Sequence, residues 1–389
     1  MTDALATDPT AATAADHAAL LRLIAVGGGS AARRRLLDSH GAPRAALTAG
    51  VRGWRAAGLD DRQMRALDAA PDATHARALD WLVAPANHLI GWHDPDYPAL
   101  LRRIASPPLA LFVAGDPELL WHPSVAVVGS RSPTAGGRDN AGDFSRALVD
   151  SGLGIVSGLA AGVDAAAHRA ALDGGGITVA VLGTGVDVPY PRANAELHAR
   201  IAAHGAVVSE HFPGTPPRKE HFPSRNRIIA GLALGTLVIE AAERSGALIT
   251  ARLAIESGRD AFAVPGSIHN PMARGCHRLI RDGAGLVERA DEVIAALAPL
   301  AIELGDALRR RLGVPNSGVG TAIAATATPD PPDDPDYQRL WNALGHDPTG
   351  MDRLAARTGL TAAELSSMLL VMELEGRVCA ERGRYSRKS

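Results

Sequence analysis

Six short apolar runs, at residues 125–128, 154–156, 177–182, 206–208, 236–239 and 261–264, punctuate the middle of the sequence. Each is followed by a glycine-bearing turn and a stretch of helix-length periodicity. Strands that are apolar throughout, rather than at every second position, belong in a sheet covered on both faces, and the intervening helices supply the cover. The pattern predicts an α/β domain over residues 91–300, a Rossmann-like doubly wound, mostly parallel sheet. Ligands of such sheets bind beyond the carboxyl ends of the strands, so the loops leaving the runs are where function is expected.

The flanks read differently. An opening stretch of about 15 residues, rich in Ala, Thr and Asp, is expected to be disordered. The rest of residues 1–90 reads as a small helical domain of the SAM or helix-hairpin-helix kind. Within it Gly27-Gly28-Gly29 forms a turn between two helices, Ser30 is an N-cap, and the exposed amides could cradle a phosphate. An ordinary packing module with a solvated arginine face fits that turn better. Residues 301–335, dense in Pro, Gly and Asp, read as a linker. Residues 336–389 then offer three helices, at 336–344, 351–358 and 361–375, and a short hairpin, the plan of a winged helix with Leu354, Leu365, Leu369, Met372 and Leu374 as core.

Composition removes several function classes. Of 40 basic residues only Lys219 and Lys388 are lysine, and neither stands in a Gly-x-x-x-x-Gly-Lys loop, which disfavours P-loop ATPases and helicases. Aromatics make up 4% of the chain, too few for a platform of several stacked rings. Cys276 and Cys379 lack metal-ligand or disulfide spacing, so no structural metal is expected. No apolar run approaches a membrane span and no signal peptide is visible, so a soluble cytoplasmic protein is expected. The net charge of −2 names no partner. Binding must come from a few placed cations.

The strand-exit loops supply them. Gly129-Ser130-Arg131 follows the first run, where amides, a helix N-terminus and a forked cation suit a phosphate. The strict dinucleotide spacing is missing, which argues against such a cofactor. Ser157-Gly158 and Gly183-Thr184 repeat the glycine turn at the second and third exits, while Asp164 and Asp187 read as local turn or cap residues before catalytic carboxylates. The segment from Arg218 to Gly231 is the most informative. Arg218, Lys219, Arg225 and Arg227 fall within ten positions together with Phe222, and cations interleaved with a ring are the chemistry of single-strand binding. Ser224 is expected to cap a helix, placing Arg225, Asn226 and Arg227 in its first turn. One of the two arginines is expected to pair internally with Glu240 or Glu243. At the fifth exit Glu240 could act as a general base, and Ser245-Gly246 opens another helix. Cys276 reads as a small packing residue.

In this order the segments Val-Ala-Val-Val-Gly-Ser-Arg, Ser-Gly-Leu-Ala-Ala-Gly-Val-Asp-Ala-Ala-Ala-His, Val-Leu-Gly-Thr-Gly-Val-Asp, Phe-Pro-Ser-Arg-Asn-Arg-Ile-Ile-Ala-Gly and Glu-Arg-Ser-Gly-Ala-Leu-Ile-Thr-Ala resemble the DNA-processing protein A (DprA/Smf) family. The resemblance implies a non-enzymatic recombination mediator that binds and protects single-stranded DNA and helps load the bacterial recombinase in natural transformation, usually as a homodimer and without cofactor. It implies DNA contacts from Arg131, Lys219 and Phe222, with Gly129, Ser130, Ser157, Gly158, Gly183 and Thr184 as donors. His277 stands where the family more often has Asn. Two other functions compete. A nucleoside-monophosphate hydrolase of the lysine-decarboxylase-like group would need Gly-Thr-x-x-Glu, and the stretch from Gly235 to Glu240 is one residue too long. An adaptor would act through the winged helix alone.

Overall fold

The apolar runs become neighbouring strands because each is buried on both sides. The computed structural model describes residues 9–312, 335–344, 349–374, 377–381 and 384–387. A nine-stranded sheet comprises β1 (Asn87–Gly91), β2 (Ala110–Gly115), β3 (Ser124–Val128), β4 (Gly154–Ser157), β5 (Thr178–Val181), β6 (Ala206–Ser209), β7 (Gly235–Val238), β8 (Asp260–Ala263) and β9 (Gly285–Leu286), in the order β1-β2-β6-β5-β4-β3-β7-β8-β9. From β6 to β9 every pairing is parallel, and β2 joins β6 antiparallel. The chain starts the parallel part at β3, winds outward to β6, then returns to the other side of β3 as β7. The β3/β7 boundary is therefore the switch point of the sheet.

Alternation along β3 divides the core. Ala126 and Val128 face one layer with Val156, Val181 and Ile228, and Val125 and Val127 face the other with Phe144, Leu148 and Leu237. Each of these Val, Leu, Ile and Phe side chains, fully buried, contributes roughly 1.5–3 kcal/mol. β1 and β2 lie outside the six runs. They pair antiparallel, Leu89 opposite Phe112, and extend the sheet at its β6 edge.

Helices α1 (Pro9–Ala25), α2 (Ala31–His40), α3 (Pro43–Thr48), α4 (Gly50–Ala56), α5 (Asp61–Asp68) and α6 (Ala73–Trp81) precede the sheet. Of the expected disordered start, residues 1–8 lie outside the described residues and the rest is helix from Pro9, because α1 carries Leu20, Leu21 and Leu23 into the core. Those leucines, with Leu36, Leu37 and Leu67, share one cluster with Phe112, Ala180 and Val207 of the sheet. The helical segment and the sheet thus form one unit, residues 1–316, and the expected boundary at residue 90 falls inside β1. Ser30 does occupy the N-cap position of α2, but its hydroxyl donates to the Pro107 carbonyl at 2.9 Å instead of capping. The glycine turn is held by buried Arg33, which donates to the carbonyls of Leu23, Ile24 and Gly28.

α7 (Ala99–Arg102) joins the antiparallel pair β1 and β2, and the crossovers are α8 (Ala135–Asp150), α9 (Val163–Asp173), α10 (Ala195–His204), α11 (His221–Leu232), α12 (Gly246–Glu256) and α13 (Arg274–Arg281). α14 (Ala290–Leu312) packs Val293, Leu297 and Leu304 on the sheet, so the first twelve residues of the expected linker are helix; residues 313–334 lie outside the described residues. The second unit, residues 317–389, has α15 (Pro335–Ala343), β10 (Thr349–Gly350), α16 (Met351–Thr358), α17 (Ala362–Leu374), β11 (Val378–Glu381) and β12 (Arg384–Arg387). Its core gathers Leu340, Leu354, Leu365, Leu369, Met372 and Val378. The side chain of Leu374 lies outside the described residues. Three helices and a three-stranded sheet in the order β10-β12-β11 make the winged helix that the sequence predicts.

Candidate nucleic-acid interface

All the predicted site residues lie at the carboxyl ends of β6, β5, β4, β3 and β7, but they divide into an interior and a rim. The interior set is spent on the protein itself. Ser157 is fully buried and donates its hydroxyl to the Val127 carbonyl at 2.6 Å. The Gly158 N–H goes to the Asp164 carboxylate at 3.1 Å. Thr184 donates to the Val188 carbonyl at 2.7 Å. The Ser130 hydroxyl accepts the Ser132 N–H at 3.1 Å and its own N–H donates to the Glu240 carbonyl at 2.7 Å. These groups were expected as phosphate donors, and the fold has already paired them. The N-terminus of α8 is filled as well, since the Thr134 N–H donates to the Glu240 carboxylate at 2.9 Å.

The two arginines of α11 correct the sequence reading further. The helix begins at His221, with Glu220 in the N-cap position, so Ser224 lies inside it and donates to the His221 carbonyl at 3.0 Å. Arg225 and Arg227 are consequently one turn deeper than expected. Arg225 is 5% exposed, donates to the Val181 carbonyl at 2.6 Å and faces Asp164, also 5% exposed. Burial holds the Arg225 guanidinium down at about 10 while the Asp164 charge opposes that shift. Burial likewise pushes the Asp164 carboxyl up against the pull of Arg225. Arg227 pairs with Glu210 at 2.5 Å. Both arginines are internal, on partners other than Glu240 and Glu243. Asn226 is buried too, with Nδ2 donating to the Gly246 carbonyl at 3.3 Å.

The rim is different in kind. Arg131, Arg218 and Lys219 are exposed on the loops after β3 and β6. Arg131 is near enough to Arg225 for its charge to depress that guanidinium further. Phe222 is half-buried and lies over Gly183, where a Cβ would come within 3.2 Å of its ring. A side chain there would have to push the ring aside by a few tenths of an ångström. His221 fastens the same loop through a 3.0 Å contact from Nδ1 to the Gly183 carbonyl, and its ring stacks on His211 at 3.9 Å. Tyr190, 41% exposed, stands 5.1 Å from the Phe222 ring. Sequence reasoning passed over Tyr190, although a tyrosine between Pro189 and Pro191 on a strand-exit loop was the available signal.

At the fifth exit Ser245 caps α12 by accepting the Ala247 N–H, and Gly246 is exposed with open space around its Cα. Gly129 packs against Val163 and the Glu240 carbonyl. Asp187 was expected to cap its own turn; its carboxylate instead accepts the Gly214 N–H at 2.7 Å, 27 residues on, and ties the loop after β5 to the loop after β6. His277 rests on the Gly266 carbonyl at 3.0 Å. Cys276 is buried with its thiol pushed up to about 12, chiefly by burial. Among the described residues no group of three or more His, Cys, Asp or Glu could hold a metal ion, and no helix is long and apolar enough to cross a membrane.

Comparison with known proteins bears on this geometry. A family model described as DNA recombination-mediator protein A matches residues 88–298, and one described as the DprA winged helix domain matches residues 324–384. Protein Smf of Synechocystis sp. is 41% identical over 317 residues, which cover 76% of this chain and 79% of that protein. The X-ray structure of DNA processing protein A from Streptococcus pneumoniae superposes with a TM-score of 0.64 at 38% identity, over 72% of this chain and 97% of that one. DNA processing protein A from Helicobacter pylori, whose structure is described for its single-stranded DNA binding mode, superposes with a TM-score of 0.50 at 28% identity, over 55% of this chain and 96% of that one.

Proposed function

Because the chain belongs to the DNA recombination-mediator protein A family, we propose that it binds single-stranded DNA along the carboxyl edge of its parallel sheet, shields it, and helps load the bacterial recombinase during natural transformation. The observation that carries this reading is the rim. A half-exposed Phe222 beside Tyr190 offers a face to a base, and exposed Arg131, Arg218 and Lys219 offer charge to the backbone. A ring stacked on a base is worth about 1–3 kcal/mol and tolerates any sequence, while the cations follow the phosphates. The DNA-contacting set we propose is Arg131, Lys219, Phe222, Arg218 and Tyr190, with Ser245 and Gly246 at the far end of the same edge. Arg225, Asn226, Ser157 and Thr184 support it from beneath.

The protein acts without catalysis in this reading. The groups that could do chemistry are engaged: Glu240 by Thr134, Asp164 by Gly158 and Arg225, and Cys276 as a buried thiol. A nucleoside-monophosphate hydrolase would need its acid and its phosphate cradle free. A second copy of the chain and the recombinase are the expected protein partners, and the cytoplasm the compartment.

Fluorescence anisotropy with a labelled oligonucleotide tests the reading. Arg131→Ala, Lys219→Ala and Phe222→Ala are each expected to weaken binding, the last by roughly 5–150-fold if a stacked base is lost. A folded triple variant that binds as tightly as the wild type would sink the assignment. Duplex and single strand compared at two salt concentrations decide the preference.

A further inference from the structure

We infer that Glu240 is a built-in anion that closes the phosphate seat at the switch point and so sets this sheet's preference for a phosphodiester chain over a free nucleotide. Doubly wound sheets receive nucleotides at the switch point, with the terminal phosphate on a helix N-terminus. Here that place lies between the exits of β3 and β7, at the N-terminus of the sixteen-residue α8. Glu240, 7% exposed, already sits in it.

The seat is built from two separate segments, the β3 exit running into α8 and the β8 exit. From the β3 exit, the Thr134 N–H donates to Glu240 Oε2 at 2.9 Å and the Thr134 hydroxyl to Oε1 at 2.6 Å. From the β8 exit, Asn270 Nδ2 donates to Oε1 at 3.1 Å. From α8 itself, the Gly137 N–H donates to Thr134 Oγ1 at 3.0 Å, so that hydroxyl relays the helix end to the carboxylate. Gly137 also leaves the room: a Cβ there would collide with the Glu240 carboxyl group. A negative charge that gathers an amide, a hydroxyl and a carboxamide against a bare glycine occupies the position, charge and donor set that a phosphate would take. A second anion cannot enter beside it without desolvation and repulsion. A phosphomonoester is therefore refused. A strand whose phosphates are met by Arg131 and Lys219 on the rim is not. The exclusion follows from the switch-point geometry alone, and only the statement about the favoured ligand rests on the function proposed above.

The test uses the full chain and thermal melting in chloride or in inorganic phosphate of equal ionic strength. The wild type is expected to show only the small, unsaturating rise in melting temperature that phosphate gives any folded chain. Glu240→Ala, which empties the seat, is expected to melt several degrees lower in chloride and to recover saturably as phosphate or a 5′-deoxynucleoside monophosphate is added. Titration calorimetry should give one phosphate site in the variant and none in the wild type. A folded Glu240→Ala chain that responds to phosphate no more than the wild type overturns the inference, and so does a wild type that binds the mononucleotide with Glu240→Ala unchanged. Should Glu240→Ala fail to fold in either salt, Glu240→Gln decides. It fills the same volume but turns a donor or a neutral oxygen toward Thr134, so it is expected to melt below the wild type and to gain from phosphate only what the wild type gains. A Gln variant as stable as the wild type shows that the seat does not hold an anion. Oligonucleotide anisotropy run in parallel separates the two readings, since a wild type that fails to bind single strands defeats the proposed function and leaves the phosphate titrations standing.

Discussion

The guanidinium of Arg225 lies where a side chain on Gly158 would begin, so that a Cβ built on Gly158 would overlap its Nη1. The same guanidinium reaches the Val181 carbonyl at 2.6 Å and faces Asp164, whose carboxylate takes the N–H groups of Gly158 and Ala160 at 3.1 and 3.3 Å. The turn after β4 is therefore glycine for an arginine's sake. Two strand exits in this sheet carry an internal carboxylate, Asp164 at one and Glu240 at the other, and in both the carboxylate has taken the main-chain donors.

Gly158→Ala should destabilise the chain by about 1–3 kcal/mol, the cost of forcing a methyl group into filled space. Gly136→Ala, in the first turn of α8 with nothing within 4 Å of the new carbon, should instead gain about 0.4–1 kcal/mol from the unfolded state. Urea midpoints of the two variants, read against the wild type, should move in opposite directions. A Gly158→Ala midpoint equal to that of the wild type would contradict the placement of Arg225.

Arg131 and Arg225 should separate binding from folding. Arg131→Ala removes an exposed cation, so the slope of log affinity for single-stranded DNA against log salt should flatten by about 0.7 with the melting temperature kept. Arg225→Ala empties the space beside Gly158 and leaves the buried Val181 carbonyl without its donor, which should cost about 1–3 kcal/mol. Melting curves should register that loss, and a folded Arg225→Ala chain at low temperature should keep the wild-type salt slope. If the slope falls by a full contact, Arg225 touches DNA and the interior assignment is wrong.

How far the sequence foretold this follows from where each partner sits along the chain. Six of the seven parallel strands, β3 to β8, were legible because burial on both faces writes itself as an unbroken apolar run; the two-residue, exposed β9 was not. β1 was not, since residues 87–91 mix Asn, His and Gly with their apolar pair and an edge pairing imposes no such run; β2 is an apolar run that was passed over because it pairs antiparallel on both sides, outside the strand–helix alternation. α14 overran the expected linker because its sequence stays apolar at helical spacing to Leu304 before the Pro- and Gly-rich stretch begins. On the rim, the exposure of Arg131, Arg218 and Lys219 follows from their own polar loops, with no distant partner among the described residues to close them. Glu240 and Thr134 are 106 residues apart, and Arg225 and Val181 are 44 apart. No local pattern announces such pairs, so glycine loops that look open to a phosphate in the sequence are closed by the fold.

Buried histidines predict an acid-sensitive fold. His168 is fully buried, its Nδ1 2.7 Å from the Thr178 hydroxyl and its Nε2 without a partner, and its pKa is held down to about 3, chiefly by burial. Burial, with His221 and Arg227 nearby, takes His211 down to about 4. Unfolded histidines titrate near about 6.5. Between that value and the depressed ones the unfolded chain binds protons that the folded chain does not. Stability is therefore full above about pH 6.5 and falls with acid at up to about 1.4 kcal/mol per pH unit for each group. Asp164, whose pKa is raised, acts in the opposite direction. His168→Gln, which cannot titrate, should flatten the loss between pH 6.5 and 4 by about one proton's worth in urea unfolding. An unchanged acid slope in that variant would count against a neutral His168.

The two cysteines should differ sharply in reactivity. Cys276 is fully buried with Sγ 3.7 Å from the carbonyls of Val238 and Ile239, and burial, with Glu240 close by, pushes its thiol up to about 12. Only the thiolate attacks an alkylating agent, so at neutral pH this sulfur is both unreachable and in its unreactive form. Cys379, on β11, is exposed. Iodoacetamide at pH 8 should therefore add one group to the native chain, at Cys379, and a second only once urea opens the sheet. Intact mass followed by peptide mapping reads both events. The urea concentration at which Cys276 becomes labelled should coincide with the unfolding of the parallel sheet, because its carbonyl partners belong to β7 and its exit. Rapid native labelling of Cys276 would mean that this exit opens on its own, and that the site framework is looser than its hydrogen bonds require.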